Sequence, residues 1–244
     1  MTIRILVNGA NGKMGQITTK TIANCAEFAL IGTLGRKDNL AEEIKTTKAD
    51  VVIDLTNPDV VLQNTKTIIE SGAHPVIGTS GLTKDQLQLL QKRCAELKLG
   101  GIIAPNFSLG AVLMMKHAQE IAKYFPHVEI IEMHHDKKLD SPSGTAIRTA
   151  EMMSAVRTSV SIELKNVRET VAGARGARYQ QIPIHSIRLP GLVAHQEIIF
   201  GGTGETLTIR HDSIDRECFM PGIIFSCKKV MALKELVYGL ESIL

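Results

Sequence analysis

The sequence predicts an α/β protein in two parts: a parallel sheet covered by helices on both faces, then a smaller α+β part built on an open mixed sheet. Three observations carry that expectation. Over the first hundred residues, short apolar runs alternate with amphipathic stretches. Beyond Asn106 the runs take the period of two that marks half-buried strands. Turn signals such as Pro190-Gly191 and Gly201-Gly202 separate them.

Parallel strands are expected at Ile3–Val7, Phe28–Leu34, Val51–Leu55, Pro75–Ile77 and Gly101–Ala104, each short, apolar and bounded by Gly, Asn, Asp or Pro. Strands this apolar are buried on both faces. The helices between them carry their own punctuation. The first presents Met14, Ile17, Thr21 and Ile22 on one face. Asn57 is expected to cap another, with Pro58 at its first position, Val61, Ile68 and Ile69 facing inward, and Gly72 at its stop. Thr83 and Gln86 form a capping box for the helix bearing Leu87, Leu90 and Leu97. The second part is expected to hold helices at Ser108–Tyr124 and Ser143–Ala155. Its strands are placed at His127–Met133, Val160–Val167, Ile182–Arg188, Val193–Phe200 and Glu205–His211. Pro221–Leu244 returns to helical spacing through Ile224, Val230, Leu233 and Val237 and is assigned back to the first domain. The domains are therefore read as 1–106 with 217–244, and 107–216.

Composition narrows the function. Hydrophobic residues make up 44% and charged residues 22%, the balance of a folded globular chain. A formal charge of +3, with the basic residues scattered, is too small for a nucleic-acid surface and suits a small anionic ligand. No apolar run approaches the roughly 18 residues that span a bilayer, and Met1-Thr2 leads directly into a strand pattern, so a cytoplasmic protein without membrane partners is expected. Cys25, Cys94, Cys218 and Cys227 lack C-x-x-C spacing and read as reduced structural thiols.

The first chemical motif, Gly9-Ala10-Asn11-Gly12-Lys13-Met14-Gly15, follows the first strand and opens a helix. Glycines there let backbone approach a pyrophosphate, which the N–H groups and dipole of the helix start then hold. Read this way the first domain is Rossmann-like and binds a dinucleotide. The alternative is a strand-to-helix turn that needs its glycines for backbone geometry alone. After the second strand, Thr33-Leu34-Gly35-Arg36-Lys37 contains no acid and two bases. NAD-preferring domains place Asp or Glu near this point, so Arg36 is expected to favour NADPH, with NADH as a second cofactor. Asp38 would favour NADH if the loop carried it to the ribose.

The second motif runs from Glu129 to Ala146: Glu-Ile-Ile-Glu-Met-His-His-Asp-Lys-Lys-Leu-Asp-Ser-Pro-Ser-Gly-Thr-Ala. A strand ends in His134 and His135, a loop supplies Lys138, and Ser143 caps a helix whose first N–H groups, at Gly144 and Thr145, form an anion cradle. Histidine donates a proton near neutral pH, and lysine holds a carboxylate as a point charge. Together they describe a site that binds an acid and protonates it. A metal site on His134, His135 and Asp136 is disfavoured, because adjacent strand residues point to opposite faces, and no metal is expected. A structural role for the histidine pair is the other reading.

This run resembles the signature of the 4-hydroxy-tetrahydrodipicolinate reductase (dihydrodipicolinate reductase) family. The likeness extends to the glycine loop, to Gly78-Thr79-Ser80, to Ala104-Pro105-Asn106-Phe107-Ser108 and to Arg216. It implies an NAD(P)H-dependent reduction of 4-hydroxy-tetrahydrodipicolinate to tetrahydrodipicolinate on the diaminopimelate route to lysine. By the resemblance His134 is the proton donor and Lys138 its catalytic partner, while His135, Ser143, Gly144, Thr145 and Arg216 contact substrate. Gly9, Ala10, Asn11, Gly12, Lys13 and Met14, with Gly78, Thr79, Ser80, Ala104, Pro105, Asn106 and Phe107, would line the cofactor. The family also implies a homotetramer assembled through the second domain's sheet. Ser141 stands where many relatives carry alanine, and Gly35 where many dinucleotide enzymes carry an acid. Two other readings stay open: a nicotinamide-dependent reductase of another small carboxylic acid, and a non-catalytic dinucleotide sensor, which would need no proton donor. Asp54-Leu55-Thr56-Asn57-Pro58 reads either as a cofactor-facing segment or as a capping loop, and His185 joins Arg216 as a residue within reach of substrate if the second domain folds over it.

Overall fold

The computed structural model describes residues 2–157 and 168–244, and the chain divides into two compact units, Met1–Leu109 with Arg216–Leu244 and Gly110–Asp215. The strand expected at Val160–Val167 lies outside the described residues.

In the first unit β1 (Ile3–Asn8), β2 (Phe28–Leu34), β3 (Val51–Asp54), β4 (His74–Ile77) and β5 (Gly101–Ile103) alternate with α1 (Lys13–Ala23), α2 (Leu40–Thr47), α3 (Val61–Glu70) and α4 (Lys84–Leu97). The strands lie in the order β2-β1-β3-β4-β5, every pair parallel. Ile5, Leu6, Val7, Val51, Val52 and Ile53 are wholly buried, as strands covered on both faces require. The chain runs outward from β1 to β2 and returns to place β3 on the other side of β1. That reversal opens a crevice at the carboxyl ends of β1 and β3, where ligands of such sheets bind.

Several local expectations hold at the level of single bonds. Thr83 Oγ1 accepts from the Gln86 N–H and the Gln86 side chain accepts from the Thr83 N–H, closing the capping box of α4. On that helix Leu90 and Cys94 are buried, whereas Leu97 is exposed. Asn39 caps α2, a helix the sequence pattern had not singled out.

Three expectations are corrected. First, α3 begins at Val61, not Pro58: Asn57 accepts from the Asp59 N–H through its side chain and from the Val60 N–H through its carbonyl, making a turn. Asn is suited to both structures, and the turn won here. Second, the buried side of α1 is Gly15, Thr18 and Ile22, whereas Met14, Ile17 and Thr21 are half-exposed. Glycine brings this helix edge against the loop before it, which rotates the apolar pattern outward. Third, the closing stretch is not helical throughout. After the second unit the chain returns as a helix at Met220–Val230, then makes a strand, Leu236–Tyr238, parallel to β5 at the sheet edge, and ends in a short 3-10 turn. Three apolar residues are too few to reveal a period.

The second unit contains α5 (Leu109–Ile121, its first residue in the first unit), β6 (His127–His134), α6 (Gly144–Ser154), β7 (Ala177–Tyr179), β8 (Ile182–Arg188), β9 (Ala194–Gly202) and β10 (Glu205–Ser213). The returning helix Met220–Val230 is α7 and the edge strand Leu236–Tyr238 is β11. The sheet is mixed, in the order β10-β9-β6-β8-β7, with β6 and β8 parallel and the other neighbours antiparallel. Val128, Ile130 and Glu132 of β6 alternate with half-exposed Glu129, Ile131 and Met133, so one face is core and the other is open to a partial degree. Ile184, Ile198 and Phe200 share the core face, and Phe125 meets Phe200 edge to face at 6.5 Å. Among the described residues no helix is long and apolar enough to cross a membrane.

One tight steric constraint in the first unit is at Gly15, beside the glycine loop. A Cβ there would stand 2.1 Å from the Gly9 carbonyl oxygen and 2.7 Å from the Ala10 Cα. Neither is the end of a flexible side chain, so backbone must move. Gly15→Ala is therefore expected to lower the unfolding free energy by about 1–3 kcal/mol, the usual cost of overpacking, as read from the urea midpoint at unchanged m-value.

Candidate active site

In the first unit the glycine loop joins β1 to α1 and bends where a side chain could not go. Gly9 has φ +82°, and a Cβ on it would meet the Leu55 carbonyl oxygen at 2.6 Å. Gly12 is the N-cap of α1 and has no side chain to occupy the helix start. Around this turn lies a cleft of about 410 Å³ lined by Gly9, Asn11, Gly12, Arg36, Asp38 and Thr56, among others. It sits at the β1/β3 reversal. A glycine turn held open by backbone, a bare helix N-terminus and an adjacent guanidinium fit the pyrophosphate and ribose of a dinucleotide.

Beneath the cleft, the fully buried Asp54 ends β3. Its Oδ2 accepts from Asn8 Nδ2 at 2.8 Å and Asn64 Nδ2 at 2.9 Å, and its Oδ1 accepts from Thr56 Oγ1 at 2.7 Å and Thr79 Oγ1 at 2.9 Å. One carboxylate thus ties the carboxyl ends of β1 and β3, the loop after β4 and the flank of α3. The segment around Asp54, read in the sequence as cofactor-facing or capping, performs neither task through Asp54 itself. This residue fixes the walls.

The other residues expected at the cofactor stand where the strands end. Ala10 is buried behind the turn, and Lys13 and Met14 begin α1. Gly78, Thr79 and Ser80 follow β4, with Gly78 packed against Leu55 and Phe107 so closely that a Cβ would lie 2.7 and 2.9 Å from their side chains. Ala104, Pro105, Asn106 and Phe107 follow β5, and the Asn106 side chain accepts from the Ser108 N–H at 2.8 Å. At the end of β2, Asp38 accepts from the Gly35 N–H at 2.7 Å, which holds its carboxylate at the cleft beside Arg36.

In the second unit the end of β6, the following loop and the start of α6 converge. His134 Nδ1 lies 2.6 Å from Glu132 Oε2. Residues two apart on a strand share a face, and the β6–β8 register adds Ser186 beside Glu132 and Arg188 beside His134. Arg188 grips Glu132 with two parallel bonds of 2.9 and 2.8 Å, and donates a further one of 2.7 Å to the Asp140 carbonyl. Ser143 donates its backbone N–H to Glu132 Oε1 at 3.2 Å while its Oγ accepts from the Ala146 N–H, capping α6 as expected. At Gly144 a Cβ would meet nothing within 4 Å, so the helix start faces open space. Lys138 Nζ bonds to Asp140 Oδ1 at 2.7 Å, which holds that carboxyl below its usual range. His135 and Thr145 lie half-buried on the same strand-loop-helix path.

Glu132 was quoted in the motif but given no role by sequence reasoning. The signal was present, since it stands two residues before His134 in a strand. His185 stands on the other face of the sheet: its register partner is Ile131, opposite to Glu132 and His134, and its Nε2 bonds to Glu129 Oε2 at 2.8 Å. Arg216 opens the 3-10 turn Arg216–Phe219, where the chain re-enters the first unit.

Comparison with known proteins covers both units. The family described as "Dihydrodipicolinate reductase, N-terminus" matches residues 3–107, and "Dihydrodipicolinate reductase, C-terminus" matches residues 110–244. The 4-hydroxy-tetrahydrodipicolinate reductase of Coxiella burnetii (strain RSA 493 / Nine Mile phase I) is 57% identical over 244 residues, covering 100% of both chains. That of Legionella pneumophila (strain Lens) is 55% identical over the same span, again 100% of both. Among solved structures, dipicolinate-bound dihydrodipicolinate reductase from Paenisporosarcina sp. TG-14 superposes with a TM-score of 0.94 at 49% identity, over 100% of each chain. An apo scyllo-inositol dehydrogenase from Lactobacillus casei shares the fold at a TM-score of 0.64 and 10% identity, over 98% of this chain and 91% of its own.

The charge balance around Glu132 makes stability depend on pH. Burial alone would raise its carboxyl, but hydrogen bonds from His134, Arg188 and Ser186 and the charge of Arg188 outweigh that and hold it at about 2. A depressed value means that the stabilisation is complete above the ordinary value of 4.5 and is lost as pH falls toward 2. At about 1.4 kcal/mol per pH unit, the contribution is on the order of 3 kcal/mol. Replacing the pair together, Glu132→Gln with Arg188→Met, avoids leaving one buried charge alone. Urea unfolding between pH 5 and pH 2.5 should show a flatter loss of stability in the double variant than in the wild type; parallel curves would refute the assignment.

Proposed function

The chain belongs to the dihydrodipicolinate reductase family, and from that we infer that it reduces 4-hydroxy-tetrahydrodipicolinate to tetrahydrodipicolinate, using a reduced nicotinamide dinucleotide, on the cytoplasmic route to diaminopimelate and lysine. The observation that carries the reading is the full-length 57% identity to an enzyme of that name. The dinucleotide-shaped cleft and the His134 constellation supply the chemistry it needs.

When bound, the reduced nicotinamide supplies the hydride. The protein's own task is to bind a ring with two carboxylates and to deliver one proton. His134 gives the proton to the ring that has gained electron density. Lys138 and the N–H groups at the start of α6 hold a carboxylate, with Ser143 fixing the cradle, Gly144 leaving room for it, and His135, Thr145 and Arg216 as further substrate contacts. Such preorganised donors act where charge develops, so they contribute to rate as well as to binding. A dinucleotide sensor would not need a buried carboxylate aimed at a histidine. For this reason the non-catalytic reading is set aside.

Gly9 to Met14 and Arg36 take the cofactor, with Gly78 to Ser80 and Ala104 to Phe107 completing the wall. NADPH is the preferred cofactor and NADH a second one. Arg36 brings a cation to the cleft, and the Asp38 carboxylate beside it keeps the preference modest. A homotetramer forms through the half-exposed face of β6, β8 and β9, which carries Ile131, Met133, Ile187 and Ile199; light scattering should return the mass of four chains.

With the product of the preceding synthase as substrate, purified protein should oxidise NADPH, and His134→Gln should lower kcat by about 10²–10⁴-fold with little change in cofactor KM. Pyridine-2,6-dicarboxylate should compete with substrate and the monocarboxylate should bind far more weakly, with Lys138→Ala raising the inhibition constant. No NADPH oxidation with this substrate would overturn the function, and equal inhibition by both compounds would remove the two-carboxylate cradle.

The cofactor preference has its own test. A charge pair at about 4 Å is worth about 1 kcal/mol in water and about 4 at an effective dielectric of 20, so roughly tenfold in kcat/KM favouring NADPH is expected, mostly through KM. Salt should shrink the ratio, and Arg36→Ala should nearly abolish it. A wild type that prefers NADH would reverse the assignment.

A further inference from the structure

The geometry points to Glu132 as a positioning residue for the reduction: its buried carboxylate fixes which nitrogen of His134 carries the exchangeable proton and locks that nitrogen in register with the anion-binding start of α6. The inference rests on His134 being the proton donor, and it adds what makes His134 competent.

Glu132 has no solvent exposure, and every partner it has is a donor. Oε2 accepts from Arg188 Nη1 at 2.9 Å and lies 2.6 Å from His134 Nδ1, while Oε1 accepts from Arg188 Nη2 at 2.8 Å and from the Ser143 N–H at 3.2 Å. A carboxylate loaded in this way is ionised and can only accept. Its neighbour Nδ1 must therefore carry a hydrogen in both charge states of the ring. The neutral tautomer with its hydrogen on Nε2 would point the Nδ1 lone pair at a carboxylate oxygen 2.6 Å away.

Proton exchange is thus confined to Nε2. The substrate's hydroxyl and a neighbouring ring hydrogen leave together as water; once the resulting unsaturated ring has gained a hydride, the Nε2–H bond of the imidazolium breaks, its proton forms the new C–H bond, and the neutral Nδ1–H imidazole remains. Water re-protonates Nε2. Glu132 keeps its charge throughout and takes no proton, as with carboxylates that orient a histidine elsewhere. Arg188 sets the angle of the carboxylate with its bidentate grip, so that Oε2 is presented to the imidazole and Oε1 to Ser143.

The second half of the role is spatial. Because Oε1 holds the Ser143 N–H, the same planar group that orients the acid also anchors the N-cap of the helix that receives a substrate carboxylate. Proton and anion cradle are positioned by one rigid unit whose two ends are the two oxygens of Glu132.

Glu132→Gln separates orientation from anchoring. An amide with its oxygen toward Ser143 and Arg188 Nη2 keeps those two bonds, gives up the one from Arg188 Nη1, and presents an NH₂ to Nδ1, which favours the Nε2–H tautomer. We expect kcat to fall by about 10²–10⁴-fold, with the KM for substrate and for NADPH within threefold of wild type. Nitrogen-15 NMR of histidine-labelled protein, with the His134 signals assigned by their loss in His134→Gln, should show the Nδ1–H tautomer for the neutral wild-type ring and a shift toward Nε2–H in Glu132→Gln. A wild-type ring found as the Nε2–H tautomer would overturn the proposal, and so would a Glu132→Gln enzyme within threefold of wild type in kcat. A loss explained wholly by a raised substrate KM would also overturn it, leaving Glu132 a structural anchor. If the variant does not fold, the wild-type tautomer alone decides. An active His134→Gln enzyme would instead refute the proton-donor reading on which the proposal rests.

Discussion

A carboxylate withdrawn from water must have its lone pairs filled by donors, and in this protein that requirement organises both units. Asp54 and Glu132 are each wholly buried, and each lies at or near the carboxyl end of a strand. Each gathers donors from segments far apart in sequence. Asp54 draws in Asn8, Thr56, Asn64 and Thr79, while Glu132 draws in His134, Ser143, Ser186 and Arg188. An unsatisfied buried charge is so unfavourable that these donors have little freedom to leave. The loops at the strand ends, which backbone ladders no longer hold, are given definite positions by this means.

The two hubs differ in how the charge is balanced. Around Asp54 the partners are amides and hydroxyls, so the charge is solvated by neutral dipoles, as water would solvate it. Around Glu132 a guanidinium supplies a full opposite charge. A buried ion pair of this kind is weak evidence for stability by itself, because desolvation offsets much of its attraction. Its value here is directional. The planar fork of Arg188 matches the planar carboxylate and fixes its rotation, which a lysine ammonium would not do. The orientation of His134 is inherited from that match.

The unburied ion pair in the same region has a different character. Lys138 is half-buried and Asp140 faces solvent, with side-chain exposures of 22% and 60%, so water competes mainly for the Asp140 carboxylate. Water therefore competes for Asp140 far more readily than for the wholly buried Glu132. The region thus combines a rigid carboxylate-guanidinium core with a rim ion pair open to water on its Asp140 side.

Much of the fold was legible in the sequence where one local cause sufficed. The glycine loop needed only the spacing of Gly9, Gly12 and Gly15 after an apolar strand, and the capping box at Thr83 needed only two side chains three residues apart. The apolar strands of the first unit were readable because burial on both faces leaves no polar residue in them. Where two local structures were equally suited to the residues, tertiary contacts decided. Asn57 serves a cap or an Asx turn, and the chain took the turn. The face of α1 rotated because Gly15 lets the helix meet the Gly9 carbonyl, a contact that apolar periodicity does not register. Leu236–Tyr238 became a strand because the exposed edge of β5 offered backbone partners, an influence from more than a hundred residues away. The candidate residues of the site were likewise visible as types, a histidine to donate a proton and a helix start to hold an anion. The sequence by itself determined which side-chain types are present and at what spacing, since these are local properties. Only the tertiary structure decided how those side chains are held: strand pairing between β6 and β8 brings Arg188 onto Glu132, the carboxylate beside His134, and that buried carboxylate must fill both its oxygens.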